Sequence, residues 1–214
     1  MTRRVFALGW LALAGSIRAA TVDGLVAPQF KLAADAPEWR DLVAQFAARP
    51  DTLADFEEKR FFPFRNEPAV LRGQVRVSQA HGLSLAYREP EERTVILDAQ
   101  GMRVREPAGR SAPPPDPRAQ AGNDALRHIL RFDFAALDAG YEVYGRRSGQ
   151  AWALALVPRL RAVRNAIGDI LVEGHGAVVE RIELRRSARQ HIDIAMSGSR
   201  TVTFTPGDVE RFFK

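Results

Sequence analysis

The chain has 214 residues, 46% of them hydrophobic and 27% charged, with a net charge of +5 and no cysteine. These totals describe one globular domain large enough to bury a core. They exclude disulfides, cysteine-ligated zinc, a thiol nucleophile and an N-terminal lipid-modified cysteine.

Residues 1–20 read as a secretory signal peptide. Arg3 and Arg4 form a basic start, an apolar run extends from Val5 to Ile17, and Ser16, Ala19 and Ala20 are small residues near a cleavage point. The run is shorter than the roughly 20 apolar residues that span a bilayer, although an uncleaved anchor is the alternative. Without Arg3, Arg4 and Arg18 the charge falls from +5 to +2, so nucleic acid is not expected as a partner. The expected organisation is a signal peptide over 1–20 and one domain over 21–214, delivered to the periplasm.

Residues 21–34 show no period and are expected to lead into the first helix, over 36–48. Trp39, Leu42, Val43 and Phe46 share one face of that helix. Asp35 and Glu38 suit a capping box, and Arg49-Pro50-Asp51 stops the helix. A strand follows from Thr52 to about Pro63, then period-2 segments predict strands near 69–78, 82–88, 93–98 and 102–106. Residues 107–122, with Pro113-Pro114-Pro115-Asp116-Pro117, read as an exposed loop. Asn123 is the expected cap of a second helix carrying Leu126, Ile129 and Leu130, with a further turn near Phe134. Strands resume over 141–145, 151–157, 170–173, 178–185, 191–197 and 200–205, with turns at Gly174-His175-Gly176 and Gly198-Ser199. The tail 207–214 is a short helix or frays. Ten or eleven antiparallel strands in one sheet must curl or be covered, and the midway helix is the natural cover.

Residues for covalent chemistry are not evident. His81, His128, His175 and His191 lack metal-ligand spacing and read as solvated. Glu57 and Glu58 are strand neighbours on opposite faces, so they cannot share a site as paired acids, and both read as solvated, as do Glu91 and Glu92. Ser148 is not in a nucleophile elbow, and there is no phosphate loop. The arginines over 159–164 and 181–189 alternate as on the wet face or edge of a sheet. No catalytic residue, metal or cofactor is expected. The remaining signal is apolar: Leu83, Leu85 and Tyr87 share a strand face, as do Trp152, Leu154 and Leu156, Ile182 and Leu184, and Ile192, Ile194 and Met196. These faces could be a plain core or the lining of an acyl-chain site.

Five pieces in order resemble the LolA-type outer-membrane lipoprotein carriers. They are the strand from Leu53 to Arg60, Gly73-Gln74-Val75-Arg76-Val77, the strand from Leu83 to Pro90, the hydrophobic strand from Thr94 to Gly101, and Trp152-Ala153-Leu154-Ala155-Leu156-Val157-Pro158. The resemblance implies a mainly β fold with α, an unclosed, strongly curved antiparallel sheet (a half-barrel) beneath a helical lid. The lid would be 123–137, with Leu126, Ile129, Leu130 and Phe134 facing the cavity. The cavity would be lined by Val75, Val77, Leu83, Leu85, Tyr87, Val95, Leu97, Trp152, Leu154, Leu156, Ile182, Leu184, Ile192 and Ile194. Three departures mark a divergent member. Ser78-Gln79-Ala80-His81 replaces the Arg-Pro end whose arginine helps fasten the family's lid, Glu58 stands where glutamine is typical, and the proline loop precedes the lid.

The function implied is a monomeric periplasmic carrier that shields the acyl chains of a lipoprotein or related lipid on the way to the outer membrane. Its partners would be that cargo, inner-membrane export machinery and an outer-membrane acceptor. At about 0.8 kcal/mol per CH₂, a chain of about sixteen carbons gains about 13 kcal/mol on leaving water. The alternative is a non-enzymatic module that senses envelope lipids or docks a protein, with its inner face filled by side chains. A lipid-directed enzyme would need convergent polar residues, and no such set is evident.

Overall fold

A computed structural model describes residues 20–32, 36–98, 100–106 and 117–214. The expected signal peptide up to residue 19, Asp35 and most of the proline loop lie outside these residues. Ten strands form: β1 (Thr52–Arg60), β2 (Ala69–Ser78), β3 (Gly82–Glu89), β4 (Arg93–Asp98), β5 (Gly101–Arg105), β6 (Tyr141–Ser148), β7 (Ala151–Pro158), β8 (Asp169–His175), β9 (Val178–Ser187) and β10 (Gln190–Thr201). They make one antiparallel sheet in the linear order β5-β4-β3-β2-β1-β10-β9-β8-β7-β6, unclosed, with β5 and β6 at its edges. This is the fold class expected from the sequence.

Register explains why one face is apolar. Val77 pairs with Leu83 and Leu83 with Leu97, while Val75 pairs with Leu85 and Leu85 with Val95. Ile194 pairs with Ile182, Ile182 with Val172, and Val172 with Leu154. Directly paired residues point the same way, so these rows run unbroken across the strands. The core joins residues from strands near both edges, such as Val95 and Trp152, in one cluster beneath helices. The sheet therefore wraps round that cluster, with the apolar face concave.

Four helices cover the concave face: α2 (Pro37–Ala47), α3 (Pro117–Arg131), α4 (Phe134–Gly140) and α5 (Arg161–Ile167), after a short α1 (Val22–Leu25) at the start of the chain. Trp39, Leu42 and Phe46 of α2 are buried, as its period predicts. Gly145 on β6 makes room for this helix, since a Cβ there would lie 2.5 Å from the Trp39 ring. Phe46 stacks on Phe132 with centroids 4.2 Å apart, and Trp152 meets both rings edge-on at 6.0 and 5.4 Å. Phe132 adopts φ 53 at the corner between α3 and α4. Such a conformation costs a side-chain-bearing residue about 1–2 kcal/mol, which the aromatic stack offsets.

The outer face carries two caps. Residues 20–30, with α1 and a 3₁₀ turn at Pro28–Phe30, pack on Tyr144, Ala153, Ala155 and Leu171. The helix α6 (Pro206–Phe213) starts with a capping box between Thr205 and Asp208 and buries Phe213. Arg76 lies 3.8 Å from the Phe212 ring, and Arg103 donates to the Phe213 carbonyl at 2.9 Å. Between the caps the face is charged: Arg181 reaches Glu173, Glu183 and Asp193 at 2.9–3.0 Å. Burial alone would lower the Arg181 guanidinium, but these carboxylates raise it above its ordinary value.

Several expectations are corrected. Of residues 21–34, expected to lead into the first helix, 21–30 hold an outer-face cap. The N-cap of α2 is Ala36, with Pro37 opening the helix, and not Asp35. The strand β1 stops at Arg60. The lid helix begins at Pro117, a residue type suited to a first turn, so Asn123 lies inside it and is not its cap. Residues 159–164 are not a strand or edge, because α5 begins at Arg161. Of the expected strand over 200–205, 202–205 are not a strand, while the expected strand over 191–197 continues through 198–201 as one strand, β10. Its register with β1 shifts beside Gly198, whose φ is 60, so the glycine absorbs an irregularity and turns no hairpin.

Phe46→Ala would remove the stack that closes this end of the core. We expect a loss of about 3–5 kcal/mol in urea denaturation; a loss below about 1 kcal/mol would show that α2 is not anchored through this ring.

Candidate functional site: the concave face and its lid

All fourteen residues proposed to line the concavity fall in one hydrophobic cluster with the lid residues Leu126, Ile129, Leu130 and Phe134. Thirteen of the fourteen are buried, and Ile192 is half-buried against the others. Phe134 belongs to α4, so two consecutive helices supply the lid. Side chains of α2–α5 occupy the concave face. The arrangement offers apolar contact and little else. Among the described residues, no group of three or more His, Asp or Glu could hold a metal ion.

The lid is fastened at one end of the half-barrel. Arg131 donates to the Gln79 carbonyl at 3.0 Å, at the turn between β2 and β3. Arg127 donates to the Asp98 carbonyl at 3.2 Å, where β4 ends. Arg49, just after α2, donates to the carbonyls of Leu130 at 2.8 Å and Ala177 at 3.0 Å. Burial lowers the Arg49 guanidinium below its ordinary value, and its plane lies 5.0 Å from the Phe46 ring. Charged donors on backbone carbonyls are worth about 1.5–3 kcal/mol each. These three arginines were not singled out from the sequence. Arg49 reads there as part of a helix stop, and carbonyl acceptors leave no mark in a sequence.

The opposite end differs. There the described contacts of α3 with α5 and β9 are apolar: a Cβ on Gly122 would lie 3.8 Å from Ile167 and 4.0 Å from Leu184. Leu71, Ile192 and Met196 are half-buried on the sheet, and Val163 and Ala166 of α5 are half-buried opposite. The two most exposed large apolar residues among the described residues also lie at this end: Phe64 at 81% in the loop between β1 and β2, and Leu160 at 68% before α5.

Other sequence-singled residues are dispersed. His81 lies 5.8 Å from Phe213, and His191 stacks on Phe61 at 4.1 Å. His128 sits 3.3 Å from Asp133, and His175 is exposed. None converges on the concave face.

No family model and no curated protein matches the chain. Solved structures similar to it include a LolA superfamily protein from Nitrosomonas europaea, at 9% identity and a TM-score of 0.45, over 82% of this chain and 96% of that one. A domain from Vibrio parahaemolyticus, named for outer membrane lipoprotein sorting, is similar at 10% identity and a TM-score of 0.46, over 80% and 94%. A chain of the Pseudomonas aeruginosa MucA/MucB complex is similar at 17% identity and a TM-score of 0.40, over 81% of this chain and 59% of that one.

One polar group interrupts the concave face, and it corrects the sequence reading. Glu58 is not solvated; it is 4% exposed. It shares a row with Leu71 and Ile194, accepts from the Tyr87 hydroxyl at 2.9 Å and pairs with Arg60 Nε at 2.5 Å. Burial first, and the Glu58 carboxylate second, raise the Tyr87 phenol above its ordinary value. Burial alone would lower the Arg60 guanidinium, but Glu58 reverses this and raises it. Glu58→Ala would leave the buried Tyr87 hydroxyl and Arg60 unpaired. The expected cost is about 1–3 kcal/mol in urea denaturation, with Glu58→Gln costing less; equal, negligible costs would mean that water already satisfies both groups.

Proposed function

We propose that the protein is a non-enzymatic periplasmic carrier of acylated cargo, a lipoprotein or a related lipid, which it shields on the concave face beneath α3 and α4. In this reading residues 1–20 are the export signal and 21–214 the carrier domain. One observation carries the proposal. The concave face is predominantly apolar, interrupted at Glu58, and the elements closing it are helices, attached by side chains and not by strand pairing. Such a cover separates from the sheet without breaking a backbone ladder.

Energetics suit reversible binding. Exposing Leu126, Ile129, Leu130 and Phe134 costs about 1.5–3 kcal/mol each, or about 6–12 kcal/mol together. A chain of about sixteen carbons gains about 13 kcal/mol by leaving water. Cargo and lid are then near-equal competitors for one surface, which permits both capture and release. Arg127, Arg131 and Arg49 hold α3 at one end, its contacts at the other are apolar, and Arg159 holds α4 there through the Asp138 carbonyl at 3.1 Å, so α3 lifts most readily from the α5 side. No helix among the described residues is long and apolar enough to cross a membrane, and the proposal needs none.

A second reading has its own support. The concave side chains are already packed against one another, and Phe64 stacks on Phe62 in an exposed loop at 5.4 Å. A lipid-sensing or protein-docking module would use that outer apolar surface and keep the concavity filled.

Native mass spectrometry of the protein from a Gram-negative periplasm, with uptake of a fluorescent fatty-acyl probe, separates the two. A carrier retains near one-to-one lipid or takes up the probe, and Ile192→Glu, at a half-buried position on β10, lowers probe affinity at least tenfold. An empty wild-type protein that takes up no probe, or a folded Ile192→Glu protein of unchanged affinity, would sink the proposed concave site.

A further inference from the structure

We propose that the cleft between α5 and the ends of β8, β9 and β10 binds a phosphate-type oxyanion, the headgroup of an amphiphile whose chain enters beneath the lid; the headgroup role rests on the carrier reading. The cleft is open and has a volume of about 370 Å³, with Arg164, Asn165, Asp169, Arg185, Arg186 and Gln190 in its lining. That size lies within the range of small-molecule sites.

Its chemistry suits an anion. Three guanidinium groups face one carboxylate. Arg164 pairs with Asp169 at 2.9 Å, which holds the helix to the start of β8. Arg185 spends Nε on the buried Glu183 at 2.6 Å, which orients its plane. Among the described residues Arg186 has no ion pair, and it is exposed. The side-chain amides of Asn165 and Gln190 add neutral donors. Guanidinium forks match phosphate oxygens in pairs.

The frame is fixed by Gly168. Its φ is 77, and a Cβ there would lie 1.9 Å from the Arg185 carbonyl. The corner between α5 and β8 is therefore pressed onto the β9 backbone, which sets the donors of α5 against Arg185 and Arg186. Meanwhile Val163, Ala166 and Ile167 of the same helix pack into the core under α3. One short helix thus presents polar groups to the cleft and apolar groups to the concavity, so an amphiphile can satisfy both at once.

The test compares lauroyl glycerol 3-phosphate, lauroyl glycerol and inorganic phosphate by calorimetry on the full chain at 150 mM salt. The variant is Asn165→Ala with Arg186→Gln, two exposed positions outside the ion pairs and the core. We expect the phosphorylated lipid to bind at least tenfold more tightly than the neutral one. The variant should abolish that difference while leaving lauroyl glycerol binding unchanged. Phosphate binding that the variant abolishes would also support the oxyanion site, and would identify free phosphate as a ligand in its own right. If both lipids bind wild-type protein equally and phosphate does not bind, the cleft has no oxyanion role and the carrier reading stands. If neither lipid binds but phosphate binds through these residues, the carrier reading and headgroup role fail while the oxyanion site survives. If nothing binds, both fail.

Discussion

The structure depends on one constraint: an unclosed sheet cannot bury its own apolar face. Its rows of Val, Leu and Ile run across the strands because paired residues in an antiparallel sheet share a side. Closing the sheet into a barrel would cover that face with its own strands. A linear order from β5 to β6 leaves it open, so helices must cover it. The four helices on the concave face are a consequence of topology before they are anything functional.

How that cover attaches decides what it can do. Around α3 its polar attachments include guanidinium groups on backbone carbonyls at Gln79, Asp98, Leu130 and Ala177. These acceptors are main-chain atoms at turns and element ends, so each bond can break without disrupting a strand pair. The α6 cap is held in the same way, by Arg103 and Arg105 on its carbonyls, but the other outer cap differs in kind. The segment near residue 32 joins the edge strand β6 through its backbone, with Leu32 N–H donating to the Val143 carbonyl at 2.8 Å. That segment behaves as part of the sheet, whereas α3 lies on it.

Much of the fold could be read from the chain because period 2 is a local signal. The apolar strand faces from Leu83 to Tyr87 and from Trp152 to Leu156 lie where alternation puts them. What could not be read depended on partners distant in sequence. Glu58 looks solvated beside Glu57, Lys59 and Arg60, and only the fold brings Tyr87 to it, 29 residues away. Arg161 to Arg164 alternates with apolar residues over too few positions to tell a strand from a seven-residue helix. Gly198 and Ser199 carry turn residues, yet the strand continues past them because β1 accommodates a shift in register. The arginines fastening the lid were hidden for the same reason, since a carbonyl acceptor can belong to any residue.

The two ends of the half-barrel are not equivalent, and the difference sets a direction. At one end the rings of Phe46, Phe132 and Trp152 interlock, and Arg49, Arg127 and Arg131 tie the lid down beside them. At the other, Leu71 and Ile192 of the sheet and Val163 and Ala166 of α5 are only half-buried against the core, near Glu58 and Arg60. Burial there is incomplete, so disturbing it costs less than breaking a stack and several charged hydrogen bonds. Motion of the cover should therefore concentrate at the second end, where α5, the arginine-lined cleft and the exposed Phe64 and Leu160 also gather. The half-buried sheet residues, the arginine-lined cleft and the exposed apolar side chains thus gather at the end of the sheet where the cover is held less tightly.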